Sequence, residues 1–405
     1  MIVVDQAELD KKKFKLFILA SHPIQYQAPL FKEISKHPYI DLTVLFCSDF
    51  GLKSYFDKGF GKALKWDIPL LEGYKYKFLP NINCCPDISA FFGLLNPGVI
   101  SYITKEKCDA IWIHGWNSFT NWLALFIAFL RGVPVILRGE SNLLHETSFW
   151  KEAAKNFIYK TIFKKISCFL AIGKYNIDFY KHYDVPEEKI FLTPYTVNNN
   201  YFISKFTELA PKKNELRNKY HIPTNIPVIL FCGKLISVKR PMDLLLAYEK
   251  ASNLYESALI FAGDGILKNK IEDYVSKNKI KNVYFLGFKN QSELPEIYAM
   301  SDLLVLPSVH EPWGLVVNEA MCFGLPIIVS DKVGAGGDLV REGINSFIYP
   351  VGGINALSEK ISILLSDAKL REQMGEESLK IINRWSYEED ISGILEALNK
   401  FVGRN

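Results

Sequence analysis

Two glutamates, Glu311 and Glu319, close the ends of the segment E-P-W-G-L-V-V-N-E, eight positions apart. A strand-like run ending at Leu306 precedes it, and Pro312 suits the first position of a helix, where its missing N–H costs nothing. The pattern predicts a helix from about Trp313 to Cys322, stopped by Gly324 and Pro326. Glu311 then precedes the helix while Glu319 lies well inside it, too far off for a tight acid–base dyad. One carboxylate can face one end of a ligand while the other reaches elsewhere; the plainer alternative is a capping carboxylate plus a solvated glutamate. Between them, the amides near Gly314, Leu315 and Val316 have no intrahelical partner and sit at the positive end of the helix dipole. They make an anion site, and Gly314 lets a phosphate come close.

Two more loops carry charge at the end of a strand. Cys232–Pro241 holds Lys234, Lys239 and Arg240 and suits a diphosphate, although lysines in loops are commonly just solvated. Phe261–Gly265 puts Asp264 in an A-G-D-G turn, which plain turn chemistry also explains. In the first half, His22, Gln25 and Gln27 follow one strand-like run, His114 another and Glu140 a third. The carboxyl ends of strands are where open α/β sheets bind ligands. Local hydrogen bonding within the loops is the competing account, and His145 reads as a surface or packed histidine.

Holding these loops together is the work of sheets. The runs Phe14–Ala20, Leu42–Phe46, Ala110–Ile113, Val133–Leu137, Cys168–Ile172 and Lys189–Leu192 are separated in several places by helix-length segments, which predicts a parallel sheet covered by helices. The same grammar restarts after the polar stretch Pro194–Pro227, with Val228–Phe231, Ala258–Phe261, Asn282–Leu286, Asp302–Leu306 and Pro326–Val329. A chain of 405 residues, 49% hydrophobic, is long for one core and comfortable for two. The reading is therefore a first α/β domain over 1–200, a second over 201–385, a hinge near Val197–Lys205, and a tail, 386–405, whose helix Tyr387–Phe401 returns to the first domain. The cleft between the sheets is the expected site.

Composition narrows the function. With 48 basic and 44 acidic residues the net charge is only +4, so no nucleic-acid partner is expected. Seven scattered cysteines without a C-x-x-C spacing argue against a disulfide framework and a zinc site, and fit a reducing compartment. Met1–Lys13 has no apolar core of a secretory signal. The longest apolar run, Trp122–Leu130, is far short of the ~20 residues a bilayer demands and reads as a buried helix. A cytoplasmic location is expected. Lys155–Lys165 mixes bases and large apolar side chains at helical spacing, either a packed helix with a solvated lysine face or a peripheral contact with the inner face of an anionic membrane. Cys84–Ile103, with Phe91–Leu95, reads as core or as a contact for a lipid-linked ligand. His22-Pro23 stands where a dinucleotide enzyme carries G-x-G-x-x-G, which argues against a dehydrogenase.

In order along the chain, the G-K-x4-K loop, A-G-D-G, Leu286-Gly287-Phe288, E-x7-E, Gly324-Leu325-Pro326 and Asp338–Asn345 resemble the second half of the E-x7-E retaining glycosyltransferases, family four, over roughly Val228–Trp385. The resemblance implies an α/β, GT-B fold, two facing Rossmann-like domains with a C-terminal helix crossing back. It implies metal-independent transfer, without a cofactor, from a nucleotide-sugar donor (a UDP- or GDP-sugar) to a glycan or lipid-linked acceptor in surface polysaccharide or glycolipid assembly. By the same resemblance Lys234 and Lys239 bind the donor diphosphate, Glu311 contacts the transferred sugar, and Glu319 takes the ribose hydroxyls. Gly314, Leu315 and Val316 serve the phosphates, Gly287, Phe288 and Lys289 line the base pocket, and Asp264 and Arg240 stand beside them. His22, Gln25, Gln27, His114 and Glu140 fall to the acceptor side, and the H-P-I-Q-Y wording of His22–Tyr26 is that of one subset of these enzymes.

Two departures matter. Many relatives carry arginine at the position of Lys234; lysine keeps the charge but not the planar fork, which implies weaker donor binding or help from Arg240. Relatives often place a histidine after the strand matching Val135–Leu137, where this chain has Arg138, Gly139 and Glu140, so no catalytic histidine is carried over. The chain has no D-x-D metal-anchoring pair. The family's retention is generally discussed as front-face attack with the leaving phosphate helping to deprotonate the acceptor. A nucleotide-sugar epimerase of the same fold and a non-catalytic nucleotide-sugar binder are the rival readings.

Overall fold

The computed structural model describes residues 13–145 and 148–402. The reading of Met1–Lys13 as lacking a signal therefore lies, Lys13 apart, outside the described residues. The first half forms strands β1 (Phe14–Ala20), β2 (Ile40–Phe46), β3 (Tyr55–Asp57), β4 (Lys62–Leu64), β5 (Lys75–Phe78), β6 (Ala110–His114), β7 (Val135–Arg138), β8 (Cys168–Ala171) and β9 (Ile190–Leu192). The second half forms β10 (Val228–Cys232), β11 (Ala258–Ala262), β12 (Val283–Gly287), β13 (Leu303–Leu306), β14 (Ile327–Ser330) and β15 (Ser346–Tyr349). They assemble into two parallel sheets, ordered β5-β2-β1-β6-β7-β8-β9 and β12-β11-β10-β13-β14-β15, plus the hairpin β3-β4.

Both sheets are apolar on both faces because helices cover both. Along β1, Leu16, Ile18 and Ala20 join one core and Phe17 and Leu19 the opposite one; along β10, Val228, Leu230 and Cys232 alternate in the same way with Ile229 and Phe231. The period of two puts every strand residue in one layer or the other, which is why these strands read in the sequence as unbroken apolar runs. Four strands escape that signal. In β5 the sequence Lys-Tyr-Lys-Phe is exposed throughout at the edge of its sheet, and charge on an edge blocks further pairing. The strand β15 is a short edge with a polar start, and the β3-β4 hairpin belongs to neither sheet.

The apolar run Trp122–Leu130 falls in the helix Phe119–Arg131, and its expected burial is corrected on one side. Ala124, Leu125 and Ala128 face the sheet, while Phe126 and Leu130 are 59% and 65% exposed. A helix lying on a sheet has one face to bury. The helix Phe149–Phe163, which contains most of Lys155–Lys165, buries Phe163 but leaves Trp150 and Phe157 81% and 77% exposed.

The chain passes between the two sheets at Thr193–Val197 and again near Trp385, and the two crossings are tied together. Thr196 Oγ1 donates to the Trp385 carbonyl at 2.8 Å, and the Trp385 indole donates to the Tyr195 carbonyl at 3.0 Å. Val197 and Phe202 already belong to the core of the second sheet. The helix Tyr387–Phe401, started by a Ser386/Glu389 capping box, returns to the first sheet, where Tyr387, Ile394, Ala397 and Leu398 pack with Leu170 and Phe191. Its Asp390 forms an ion pair of 3.1 Å with Arg138 at the end of β7, both fully buried.

Candidate functional site in the cleft between the sheets

A cleft of about 520 Å³ lies between the carboxyl ends of the two sheets. From the second domain it receives Lys234 and Lys239 after β10, Phe288 and Lys289 after β12, and Glu311, Gly314, Leu315, Val316 and Glu319 after β13. From the first come His22, Gln25, Tyr26, Asp57, Phe60, Trp66 and Glu140.

Backbone contact seats the lysine loop. A Cβ on Gly263 would stand 1.8 Å from the Gly233 carbonyl, so the A-G-D-G turn has to be glycine for the loops after β10 and β11 to touch. The two lysines each meet a carboxylate. Lys234 Nζ lies 3.0 Å from Asp57, and Lys239 donates to Glu311 Oε2, which also accepts from Ser308 Oγ at 3.3 Å. Arg240 does not line the cleft: in a left-handed conformation (φ 49°), it donates to Asp243 at 2.5 Å. Asp264 is likewise drawn off, pairing with Lys62 of the first domain at 3.1 Å. Gly287, at φ +66°, turns the chain so that Phe288 and Lys289 enter the cleft, but does not line it.

The helix after Glu311 runs from Leu315 to Cys322, two residues shorter at its start than the spacing predicts. Residues 311–313 are instead pinned outside the helix: Gly334 N donates to the Glu311 carbonyl and Ala335 N to the Trp313 carbonyl, both at 2.9 Å. Pro312 thus precedes the helix, and Gly314 at φ +99° is its N-cap. The cap offers no side-chain acceptor, so the amides of Leu315 and Val316 are the free donors at this end.

Glu319 is not the solvated glutamate of the plainer reading. It is fully buried, and its Oε2 accepts from the Tyr298 hydroxyl at 2.5 Å while Oε1 has no partner. Burial raises its carboxyl to a pKa of about 7, against the Tyr298 hydroxyl and the neighbouring polar side chains of Tyr26 and Gln291, which lower it. An orphan acceptor at the wall of a cleft asks for a donor from a ligand.

On the first domain, burial lowers the His22 imidazole to about 4, so the ring is neutral at pH 7, and Ser21 Oγ lies 2.9 Å from its Nδ1. Gln27 and His114 do not line this cleft. Their Nε2 atoms are 2.9 Å apart, and both face a second cleft, also about 520 Å³, that continues into the first domain past Trp116, Asn121, Asn142 and Lys155. Glu140 faces both clefts. It accepts from the Tyr195 hydroxyl at 2.7 Å and stands 4.0 Å from His114 Nε2. Burial opposes its ionisation, but His114, Tyr195 and Arg138 together hold its carboxyl below the usual range. His145 packs against His310 beside the second cleft, with ring centroids 4.1 Å apart and the planes tilted by 58°.

Sequence reasoning missed Asp57, Phe60, Trp66, Tyr26, Tyr195 and Tyr298, all of which touch or support the cleft. Asp57 and Phe60 sit on the hairpin β3-β4, whose only signal is the paired glycines Gly59 and Gly61 at its tip. The tyrosines are single residues whose partners lie far off in the sequence. All seven cysteines are free thiols. Among the described residues no helix is long and apolar enough to cross a membrane.

Residues 212–381 match the family Glycosyl transferases group 1. An uncharacterized glycosyltransferase of Methanocaldococcus jannaschii is 31% identical over 163 residues, 40% of this chain and 41% of that protein. The similarity thus spans about two-fifths of that relative's length. The UDP-Gal:alpha-D-GlcNAc-diphosphoundecaprenol alpha-1,3-galactosyltransferase of Escherichia coli is 27% identical over 318 residues, 75% of this chain and 77% of that one. Among solved structures, HepE of Anabaena in complex with UDP and glucose superposes with a TM-score of 0.69 at 19% identity, over 96% of this chain and all of that one. The fold is GT-B, with its C-terminal helix crossing back.

Proposed function

We propose that this chain, whose second domain matches the glycosyl transferases group 1, is a retaining, metal-independent glycosyltransferase of the E-x7-E type, family four. It moves a sugar from a UDP- or GDP-sugar to a glycan or lipid-linked acceptor in surface polysaccharide or glycolipid assembly. The observation that carries the reading is the convergence, at one wall of one cleft, of Lys234, Lys239, the free amides of Leu315 and Val316, and the buried, half-paired Glu319. Two ammonium groups and a helix N-terminus are aimed where negative charge grows as a diphosphate leaves, which is how such transfer is accelerated without a metal. The ribose hydroxyls satisfy Glu319 Oε1, and the base lies toward Phe288.

Glu311, next to Lys239 and the phosphate amides, faces the transferred sugar. The acceptor enters by the second cleft and reaches the donor beside Glu140. The sugar C1–oxygen bond breaks with its electron pair leaving on the nucleoside diphosphate, the acceptor oxygen bonds to C1 on the same face, and the acceptor proton passes to the leaving phosphate oxygen. An aromatic and amide-rich second cleft with Lys155 at its rim suits a glycan, and the name of the E. coli relative points to a lipid diphosphate acceptor for that enzyme. The protein works in the cytoplasm at the inner face of the membrane, with the exposed Trp150 and Phe157 and the lysines of their helix as its contact.

Incubation with a panel of UDP- and GDP-sugars and extracted glycolipid acceptors is expected to release nucleotide, without added metal, and to do so faster with acceptor present. Glu311→Gln is expected to lower kcat by at least about tenfold, roughly 1.4 kcal/mol of barrier, with little change in donor Kd. Isomerised donor with no acceptor present would assign an epimerase, and affinity without turnover a binding protein.

A further inference from the structure

The hairpin β3-β4 crosses from the first domain and presses on the second at the lysine loop. Its tip is so close that a Cβ on Gly59 would stand 2.7 Å from Lys234 Cδ, and one on Gly265 would stand 2.9 Å from the Gly59 carbonyl. Phe60 packs edge-on against Phe288 at 4.9 Å, and Lys62 reaches across to Asp264 at 3.1 Å. Farther along, the Asn290 side-chain amide donates to the Lys65 carbonyl at 2.8 Å, and Ser292 N donates to Asp67 at 3.2 Å. The hairpin and the residues after it are a strap from the first domain fastened to the second at the loops after β10, β11 and β12.

Asp57 is the charged group this strap delivers. Its Oδ1 accepts from the amides of Gly59 and Phe60 at 2.8 and 3.0 Å, which fixes the carboxylate within its own turn, and Lys234 Nζ stands 3.0 Å away. Both side chains line the cleft, with Asp57 15% and Lys234 35% exposed. A carboxylate and a phosphate ask the same thing of an ammonium, charge and acceptor oxygens within about 3 Å. An acid held by its own turn amides keeps its place whether or not Lys234 is engaged elsewhere.

We propose that Asp57 is a releasing residue: its carboxylate competes with the nucleoside diphosphate for the Lys234 ammonium and so weakens the site's hold on its own product. The inference rests on the donor reading above and adds a role to a residue of the first domain. A diphosphate seated on Lys234 lies beside a fixed anion. When it leaves, the ammonium falls back on Asp57 and the site is never left with an unpaired cation. Asp57 is thus a positioning residue that acts through Lys234.

Asp57→Asn keeps the turn, since the amide oxygen still accepts from Gly59 and Phe60, and removes only the charge. Calorimetric titration is expected to give UDP or GDP a Kd about two- to fivefold lower than in the wild-type chain, the range of a partly exposed ion pair. Product inhibition is expected to deepen in parallel, while the corresponding nucleoside, which has no phosphate, binds unchanged. In a Lys234→Ala background the gain from Asp57→Asn is expected to vanish, as a pairwise coupling demands. Wild-type binding of UDP or GDP with an Asp57→Asn affinity that is equal or weaker overturns the role of Asp57 and leaves the donor reading standing. Failure of the wild-type chain and the variant to bind either nucleotide overturns both.

Discussion

Glu319 carries the sharpest pH signature in the cleft. Its folded pKa is raised by burial to about 7, above the ordinary carboxyl value, so between roughly pH 4.5 and 7 the native state binds more protons than the unfolded one. Stability contributed by the neutral form is complete below the unfolded value and is lost as pH rises through the folded one. Glu319→Gln, neutral at every pH, is expected to match the wild-type chain near pH 4.5 and to exceed it by on the order of 2–3 kcal/mol at pH 8, read by denaturant unfolding. The same variant is expected to bind nucleotide more weakly and to lose the rise in affinity between pH 6 and 8 that the proposed ribose contact to the ionised carboxylate requires. Spacing alone made Glu319 a helix residue. That it is fully buried beside Tyr298, Tyr26 and Gln291 follows from packing among residues 21 to 293 positions away, which no local pattern records.

The loops that bear the lysines and the free helix amides are positioned by contact between backbones. Gly263→Ala puts a methyl group into the Gly233 carbonyl. The loops must separate, which is expected to cost about 1–3 kcal/mol and to weaken diphosphate binding as Lys234 shifts. Gly336→Ala, whose Cβ meets nothing within 4 Å, is the control, expected to stay within about 0.5 kcal/mol of wild type. Thermal unfolding and nucleotide titration of both variants check the pair. The glycine turn was visible in the sequence, but as turn chemistry; its reason is a neighbouring loop. The strand-like runs, by contrast, were legible nearly residue for residue, since a strand buried on both faces has to be apolar throughout. The start of the Leu315–Cys322 helix was misread because Glu311 and Trp313, on either side of Pro312, are tied to residues 333–335, a tertiary contact that outweighs the preference of Pro312 for a first helical turn.

The two domains are joined by more than the covalent crossings. The Arg138–Asp390 pair, 252 positions apart and shielded from water, fastens the returning helix to the first sheet. Arg138→Ala leaves the Asp390 carboxylate buried and alone and is expected to cost about 3–5 kcal/mol, with faster hydrogen exchange along Tyr387–Phe401. Arg138 stood in the sequence only as part of what replaces a relative's histidine; its partner lies on the last helix. By itself the sequence determined the two-sheet architecture and the strand ends from which most of the cleft is built, because apolar runs, strand ends and a restarted pattern are local properties. It also marked Lys234, Lys239, Glu311 and the helix start as one charged neighbourhood, since all follow adjacent strands β10 and β13. Only the tertiary structure decided what each charge meets. Arg240 and Asp264 turn to other partners, and Glu319 loses its water. Asp57 arrives from 177 positions away on a strap with no apolar period. Ion pairs and buried carboxylates depend on distances of about 3 Å between residues that the chain brings together last.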